Sequence, residues 1–82
     1  MKIDIRYFAS VREALGNGES VDTQAATLAE LRDELIARGG PHAAALARGK
    51  AVRMALDQVM RPESAPLRDG GEVAFFPPVT GG

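Results

Sequence analysis

The chain opens with apolar and polar residues in alternation, which is the period of a β-strand. This strand is predicted over residues 2–8, and its alternating apolar positions are Ile3, Ile5 and Tyr7. The pair Asn17-Gly18 is a strong turn signal, and a second, short strand is expected over residues 19–23. The pattern therefore predicts two strands separated by a short connection.

The connection carries the signature of a short helix. Ser10 and Glu13 match a capping box, in which the serine accepts from the backbone three residues on and the glutamate reaches back. Gly16 is a typical residue for the end of a helix. We expect one helical turn over residues 11–15.

The strongest helix signal lies in the middle of the chain. Thr27 and Glu30 form a second capping box. Apolar residues then recur at helical spacing along one stripe: Leu28, Leu31, Leu35 and Ile36. The run Gly39-Gly40-Pro41 is expected to end this helix. A further helical turn is expected over residues 43–48.

The second half of the chain predicts three more strands. A third strand is indicated by alternation at Val52, Met54 and Leu56, and the turn Asp57-Gln58 leads to a short strand at Val59-Met60. A turn cluster, Asp69-Gly70-Gly71, precedes the last strand over residues 72–76. Because this strand is apolar at successive positions, we expect it to lie centrally with both faces covered.

The order of elements is strand, strand, helix, strand, short strand, strand. A final strand that inserts beside the first, with one main helix packed across the mixed sheet, describes the β-grasp, or ubiquitin-like, architecture. The sequence thus predicts an α+β fold of this kind. We expect a single β-grasp domain over residues 1–77 and a flexible C-terminal tail over residues 78–82.

Composition narrows the function classes. The chain has 82 residues, 45% of them hydrophobic, which suits one small globular domain. Its formal net charge of -1 does not indicate a nucleic-acid-binding protein, since such proteins usually carry an excess of basic residues. Because no apolar run approaches the roughly 18 residues of a membrane helix and no signal peptide is evident, we expect a cytoplasmic protein without a membrane partner.

The sequence offers little side-chain chemistry. It contains no cysteine, so no side chain can carry a thiol. The only histidine, His42, follows Pro41 in an alanine-rich stretch and is interpreted as an ordinary surface residue. We expect no metal site and no cofactor bound by this chain.

The distinctive feature is the tail after the last strand. Pro77-Pro78 cannot continue a sheet, since neither residue donates a backbone hydrogen bond. At about 3.3 Å per residue, the segment from Pro78 to Gly82 could reach roughly 16 Å. Gly81 and Gly82 have no Cβ, so the tail could thread a narrow channel and present its carboxylate to another protein. The alternative is a frayed terminus with a chance Gly-Gly.

Two segments resemble a known family. The ending Glu72–Gly82, EVAFFPPVTGG, is very similar to the C-terminus of the molybdopterin synthase sulfur-carrier subunits. The stretch Tyr7–Gly16, YFASVREALG, resembles their first strand and the turn after it, and Leu67-Arg68-Asp69-Gly70 fits a further turn. Two turn positions differ from the family, since Asp57 stands where asparagine is common and Gly71 where an acidic residue is common.

The resemblance implies a sulfur carrier in molybdenum cofactor biosynthesis. It implies that Gly82 is adenylated by a ubiquitin-activating-type adenylyltransferase, which uses ATP and magnesium, and then becomes a thiocarboxylate. The carrier would give this sulfur to cyclic pyranopterin monophosphate inside a large synthase subunit that supplies the active site. A 2+2 heterotetramer is expected, with Gly81 and Thr80 threading the partner's channel.

By the same resemblance, the partner interface is expected at Phe8, Met60 and Phe76. Each of the three is also open to interpretation as a core residue. Other functions remain open as well: a carrier for thiazole, cysteine or tRNA thiolation, a ubiquitin-like protein modifier, or an interaction module whose tail has no role.

Overall fold

The computed structural model describes residues 1–78. Within this range the strands are β1 (Lys2–Tyr7), β2 (Gly18–Asp22), β3 (Arg53–Leu56), β4 (Val59–Met60) and β5 (Glu72–Phe76). The helices are α1 (Ala9–Leu15), α2 (Leu28–Ile36) and α3 (Gly40–Leu46). None of the helices in this part of the chain is long and apolar enough to cross a membrane.

The strands form one mixed sheet in the order β2-β1-β5-β3-β4. The last strand, β5, lies in the middle, parallel to β1 and antiparallel to β3. The first two strands pair antiparallel at one side of the sheet. This topology is that of a β-grasp, so the predicted α+β class and the central position of the last strand are confirmed.

The three helices cover one face of the sheet and enclose the core. Alternate residues of β1 and β5 point into it and pack with the apolar stripe of α2. The predicted alternation in β1 and the predicted helical stripe in α2 are therefore confirmed. The fully buried residues include Ile3, Ile5, Val73 and Phe75 from the sheet and Leu28 and Leu31 from α2. Burial of each such side chain stabilises the fold by roughly 1.5–3 kcal/mol.

The opposite face of β5 departs from the expectation. Val73 and Phe75 are fully buried, whereas Glu72, Ala74 and Phe76 are only half-buried. Since the helices pack on one side alone, the prediction that both faces of this strand are covered is wrong. The apolar residues on the second side belong to an open surface.

The two capping boxes have different outcomes. Thr27 caps α2 as predicted, because its Oγ1 accepts from the backbone N–H of Glu30 at 3.2 Å. Ser10, in contrast, lies inside α1, which begins at Ala9 without a side-chain cap. The reason is that the backbone N–H of Phe8 still donates to the carbonyl oxygen of Phe75, so the chain leaves the sheet abruptly at Ala9, with a φ of 52°.

The helical turn predicted over residues 43–48 also begins earlier than expected. The run Gly39-Gly40-Pro41 both separates α2 from α3 and starts α3, since proline is tolerated in the first turn of a helix. At the other end, the buried guanidinium of Arg32 donates to the carbonyl oxygens of Leu46 and Ala47, each at 2.8 Å. These bonds satisfy the end of α3, so the helix covers Gly40–Leu46 rather than residues 43–48.

Candidate functional site

The proposed tail starts from the centre of the sheet. β5 ends at Phe76 between its neighbours β1 and β3, and Pro77 and Pro78 follow directly. A chain that leaves a sheet from a central strand emerges beside residues from both neighbouring strands. Of the flexible tail predicted over residues 78–82, only Pro78 lies within the described residues, and Thr80, Gly81 and Gly82 lie outside them.

An apolar patch surrounds this exit on the open face of the sheet. We define it by its residues, which are Phe8, Ala55, Met60, Ala74 and Phe76. Ala55 of β3 lies opposite Ala74 of β5 and opposite Met60 of β4, so these side chains share one face. Phe8 continues β1 beside β5. The structure therefore brings the predicted residues Phe8, Met60 and Phe76 to one side of the molecule.

The large side chains of the patch are accessible to solvent, whereas Ala55 between them is buried. Phe8 is 46% exposed and Met60 is 64% exposed, while Phe76 is half-buried. Phe8 and Phe76 line a shallow cavity of about 270 Å³, whose other lining residues are Ala55, Gln58, Glu72 and Ala74. Exposed apolar surface of this kind marks interaction sites in soluble proteins. The role of the three predicted residues as a partner interface stays a prediction.

A tight turn fixes one rim of this cavity. Asp57 and Gln58 adopt left-handed conformations, with φ of 50° and 69°, which is the geometry of a two-residue hairpin turn. The carboxylate of Asp57 accepts from the backbone N–H of Glu72 at 3.0 Å and from Nε of Arg68 at 3.2 Å. The bond from Glu72, and then the charge of Arg68, hold the pKa of Asp57 below its ordinary value. The turn is thereby tied to β5.

A polar cluster supports the covered face behind the patch. The ring of Tyr7 stacks on Phe75, with 6.2 Å between ring centroids. Its hydroxyl donates to Glu19 at 2.8 Å, and Glu19 also accepts from Arg38 at 2.6 Å and lies 3.0 Å from Nε2 of His42. We call Tyr7, Glu19, Arg38 and His42 the Glu19 cluster. It connects β1 and β2 to the end of α2 and to α3.

The charges in this cluster explain two pKa shifts. Burial alone would raise the pKa of Glu19, but hydrogen bonds from Arg38, His42 and Tyr7 outweigh it and lower the pKa to about 2. Burial, together with the bond to Glu19, raises the pKa of Tyr7 above its ordinary value. The interpretation of His42 as an ordinary surface residue is wrong, since its side chain is only 21% exposed and is held by Glu19.

A second cavity lies on the helix side of the tail exit. It measures about 190 Å³, and its walls come from α1, α3, the segment before β3 and the first proline of the tail; among its lining residues are Ser10, Val11, Ala44, Lys50 and Pro77. The chain after Phe76 thus leaves between two concave surfaces. Across residues 1–78, no group of three His, Asp or Glu side chains could hold a metal ion.

Sequence reasoning missed several residues of this site. Ala55 and Ala74 were not predicted as site residues, and Gln58 was predicted only as a turn residue. No pattern marks Ala55, because β3 is buried at three successive positions, whereas the strand period places Ala74 on the same face as Phe76. The buried Arg32 and the Glu19 cluster gave no local signal, because the contacts that define them join residues 12–23 positions apart along the chain.

Comparison with known proteins decides the family. The model of the ThiS family matches residues 5–82, which is nearly the whole chain. The chain belongs to the ThiS family. A relative from Escherichia coli, named molybdopterin synthase sulfur carrier subunit, is 42% identical over 81 residues, covering 98% of this chain and 99% of the relative. The predicted resemblance is confirmed.

Solved structures agree on the fold of this ThiS-family chain. One is the complex of subunits 1 and 2 of the molybdopterin-converting factor from Helicobacter pylori, in which the matched chain is 26% identical, with a TM-score of 0.69 and full coverage of both chains. Another is SAMP1 from Haloferax volcanii, 24% identical, with a TM-score of 0.77 and full coverage of both chains. The second match supports the β-grasp fold alone.

Proposed function

We propose that this chain is the sulfur carrier subunit of a molybdopterin synthase in molybdenum cofactor biosynthesis. The observation that carries the proposal is the full-length similarity to a relative of that name, at 42% identity. The geometry supports it, because β5 delivers the tail from the middle of the sheet beside an exposed apolar patch. A carrier needs both a surface for docking and a segment that reaches beyond that surface.

The proposed chemistry takes place on the C-terminal carboxylate of Gly82. A carboxylate is a poor electrophile, so it first attacks the α-phosphorus of ATP and displaces pyrophosphate, giving an acyl adenylate. A reduced sulfur donor then adds to the carbonyl carbon and AMP leaves, which gives the thiocarboxylate. A separate adenylyltransferase of the ubiquitin-activating type performs the first step with ATP and magnesium, and this chain binds neither.

The loaded carrier then delivers its sulfur inside the large synthase subunit. Two such transfers to cyclic pyranopterin monophosphate supply the two sulfur atoms of molybdopterin. In this proposal the carrier is a non-catalytic sulfur donor, and the large subunit provides the catalytic groups. Gly81 and Thr80 pass through the partner's channel, where small side chains allow close approach.

The apolar patch is the proposed docking surface for the large subunit in a 2+2 heterotetramer. Phe8 and Met60 are large apolar side chains that a monomer leaves exposed, and Phe76 lies between them and the tail. Aromatic residues and methionine are enriched in the buried centres of protein interfaces. The H. pylori match supports a large-subunit partner, since that structure is a complex of two subunits.

Mass spectrometry tests the carrier chemistry directly. The chain is coexpressed with its adenylyltransferase and a sulfur donor, and its C-terminal peptide is analysed. We expect a fraction of molecules in which one oxygen is replaced by sulfur on Gly82. A variant that lacks Gly81 and Gly82 should show no such exchange and should form no molybdopterin with the large subunit.

The same experiment separates the other candidate functions. A protein modifier would leave its C-terminal Gly-Gly on lysine side chains of other proteins, and an interaction module would keep its function without the two glycines. Sulfur loading on Gly82 with no activity towards the pterin would indicate a carrier for a different thiolation pathway. Any of these three results would contradict the proposal.

A further inference from the structure

The cationic side chains of this protein fall into two groups. Among residues 1–78, five of the ten lysines and arginines lie within 4.0 Å of a carboxylate, and these are Arg6, Arg32, Arg38, Arg48 and Arg68. The other five have no such partner in the described part of the chain: Lys2, Arg12, Lys50, Arg53 and Arg61. Two of these five, Lys50 and Arg53, lie between α3 and the end of β4, and Arg61 follows β4 directly.

Arg53 lies beside the end of the last strand. Its Cα lies opposite that of Phe76 in the β3–β5 pair, so the two side chains share the open face of the sheet. Arg53 is therefore adjacent to the residue from which the tail departs. Arg61 follows Met60 directly, and its backbone N–H donates to the carbonyl oxygen of Met54. Both arginines are exposed: Arg53 lies on the open face beside Phe76, and Arg61 lies at the β3–β4 edge of the sheet directly after Met60, so we call the two the basic margin.

Nearby carboxylates do not neutralise this margin. Asp57 pairs with Arg68, and Glu72 pairs with Arg6. The carboxylate of Glu63, two residues after Arg61, contacts both Arg48 and Arg32. The acidic side chains on the neighbouring segments are therefore engaged elsewhere, and the margin keeps a local positive charge although the whole chain has a formal net charge of -1.

We propose that Arg53, together with Arg61, forms a basic margin of the docking surface that pairs with carboxylates on the large synthase subunit. The guanidinium fork matches a carboxylate in a bidentate geometry, which orients a partner as well as attracting it. Charges at the rim of an interface act mainly on the rate of association. This inference rests on the proposed function, since it names a further contact of the same docking surface.

The partner that fits has a defined pattern of charge. It presents an apolar centre that covers Phe8 and Phe76, and acidic side chains on the side that faces β3 and β4. Its channel for the tail opens between these two features. The basic margin would then fix the rotation of the carrier about its tail axis, because an apolar contact alone is non-directional.

Association kinetics with the purified large subunit test the inference. Arg53→Glu should lower the association rate constant at least about threefold at low ionic strength, and the double variant Arg53→Glu/Arg61→Glu by about tenfold or more. The dissociation rate constant should change much less. Near 1 M salt, where the screening length is about 3 Å, the difference in association rate should largely disappear.

Lys2→Glu is the matched control. Lys2 is also exposed and without a carboxylate partner in residues 1–78, and its reversal changes the net charge by the same amount at the opposite end of β1. The inference is overturned if Lys2→Glu slows association as much as Arg53→Glu does. It is also overturned if Arg53→Glu associates at the unmodified rate, or if its defect persists in high salt.

These outcomes are distinguishable from failure of the proposed function. If the unmodified chain neither binds the large subunit nor forms molybdopterin with it, the proposed function is wrong. If it does both, and Arg53→Glu binds equally fast, only the basic margin is wrong. Circular dichroism and thermal unfolding of each variant confirm that the kinetic effects do not come from unfolding.

Discussion

Phe75 and Phe76 are neighbours in β5, yet they face opposite sides of the sheet. Phe75 is fully buried under the helices and stacks with Tyr7, whereas Phe76 is half-buried on the open face. Because the period of a strand is two residues, one position contributes to the core and the next to the surface. The two aromatic residues therefore provide a matched pair of substitutions.

We predict that Phe76→Ala weakens binding to the large subunit more than it weakens folding. Phe75→Ala should lower the free energy of unfolding by roughly 3–5 kcal/mol, as truncation of a buried Phe usually does. Phe76→Ala should cost less than about 2 kcal/mol, since part of its side chain is already in contact with water. Urea denaturation measures both variants, and titration with the large subunit measures the loss of affinity.

The comparison can contradict the docking assignment. If Phe76→Ala destabilises the fold as much as Phe75→Ala, Phe76 acts as a core residue. If it binds the large subunit as tightly as the unmodified chain, the patch is not the docking surface.

Gln58 presents a different residue-scale prediction. Its left-handed φ of 69° destabilises the folded state by about 1–2 kcal/mol for a residue with a Cβ. Glycine would remove this strain, but its greater conformational entropy in the unfolded chain would cancel part of the gain. Gln58→Gly should therefore raise the free energy of unfolding by about 0.5–1 kcal/mol. Gln58→Ala, which keeps the Cβ, is the control and should give no such gain. Equal stabilities of the two variants in thermal unfolding would argue against strain in this turn.

At the scale of elements, the Glu19 cluster is where the sheet and the helices are held together by charge. Its members come from β1, β2, the residues after α2 and α3, and none is adjacent to another in sequence. The hydrogen bonds to Glu19 are stronger when its carboxylate is ionised. The docking of α3 on the sheet should therefore depend on pH in the acid range.

We predict the sign of this dependence from the pKa of Glu19, which falls from 4.5 to about 2 in the folded chain. A lowered pKa means that the folded state favours the ionised carboxylate, so its contribution to stability is fully present above pH 4.5. The contribution is then lost as the pH falls towards about 2. The stability difference between the unmodified chain and Glu19→Gln should shrink across this window.

Denaturant unfolding at a series of acid pH values measures this difference. Glu13→Gln is a suitable control, because Glu13 is exposed on α1 and has no hydrogen bond or ion pair within residues 1–78. A Glu19→Gln difference that stays constant from pH 4.5 down to about 2 would contradict the assignment of the shift to this cluster.

The elements also show how far sequence patterns reach. The alternation in β1 and the apolar stripe of α2 were predictable, because each element buries one face and its apolar residues therefore follow the period of the strand or helix. Thr27 was predictable as a cap because its partner, Glu30, is three residues away. Ser10 offered the same local pattern and failed, since a sheet hydrogen bond from Phe8 to Phe75 decides where α1 starts. Contacts distant in sequence override local signals wherever the two compete.

The same argument applies to the site. The residues Phe8, Met60 and Phe76 were named from family resemblance, and the strand register brings them to one face. Their degree of exposure was not predictable, because it depends on which side of the sheet the helices cover. Arg53 gave no signal in the sequence at all, since its position becomes meaningful only opposite Phe76.

At the scale of the whole molecule, the fold places the strand that precedes the C-terminal segment in the middle of the sheet. The helices and the core face of the sheet stabilise β5, and the open face leaves room for a partner around its exit. Stability and sulfur transfer should therefore be separable, since the proposed chemistry takes place beyond the last strand. Changes at Gly82 should affect activity without affecting folding.

We predict that one additional alanine after Gly82 abolishes sulfur transfer and leaves the fold intact. The extension converts the carboxylate of Gly82 into an amide, which cannot form an adenylate at that carbon. It also moves the new carboxylate by about 3.3 Å along the tail. Displacement of a reacting atom by even about 1 Å can lower a rate on the order of a hundredfold, so the shifted carboxylate should not rescue activity.

The measurement combines three readouts on the extended chain. Thermal unfolding should match that of the unmodified protein, since Gly82 lies six residues beyond the end of β5. Mass spectrometry should find no exchange of oxygen for sulfur, and molybdopterin formation with the large subunit should be absent. Insertion of the same alanine in the turn at Gly49 serves as a control for added length, because it leaves the C-terminal carboxylate unchanged. If the extended chain still forms molybdopterin and its intact mass shows that the alanine has not been removed, Gly82 is not the sulfur carrier.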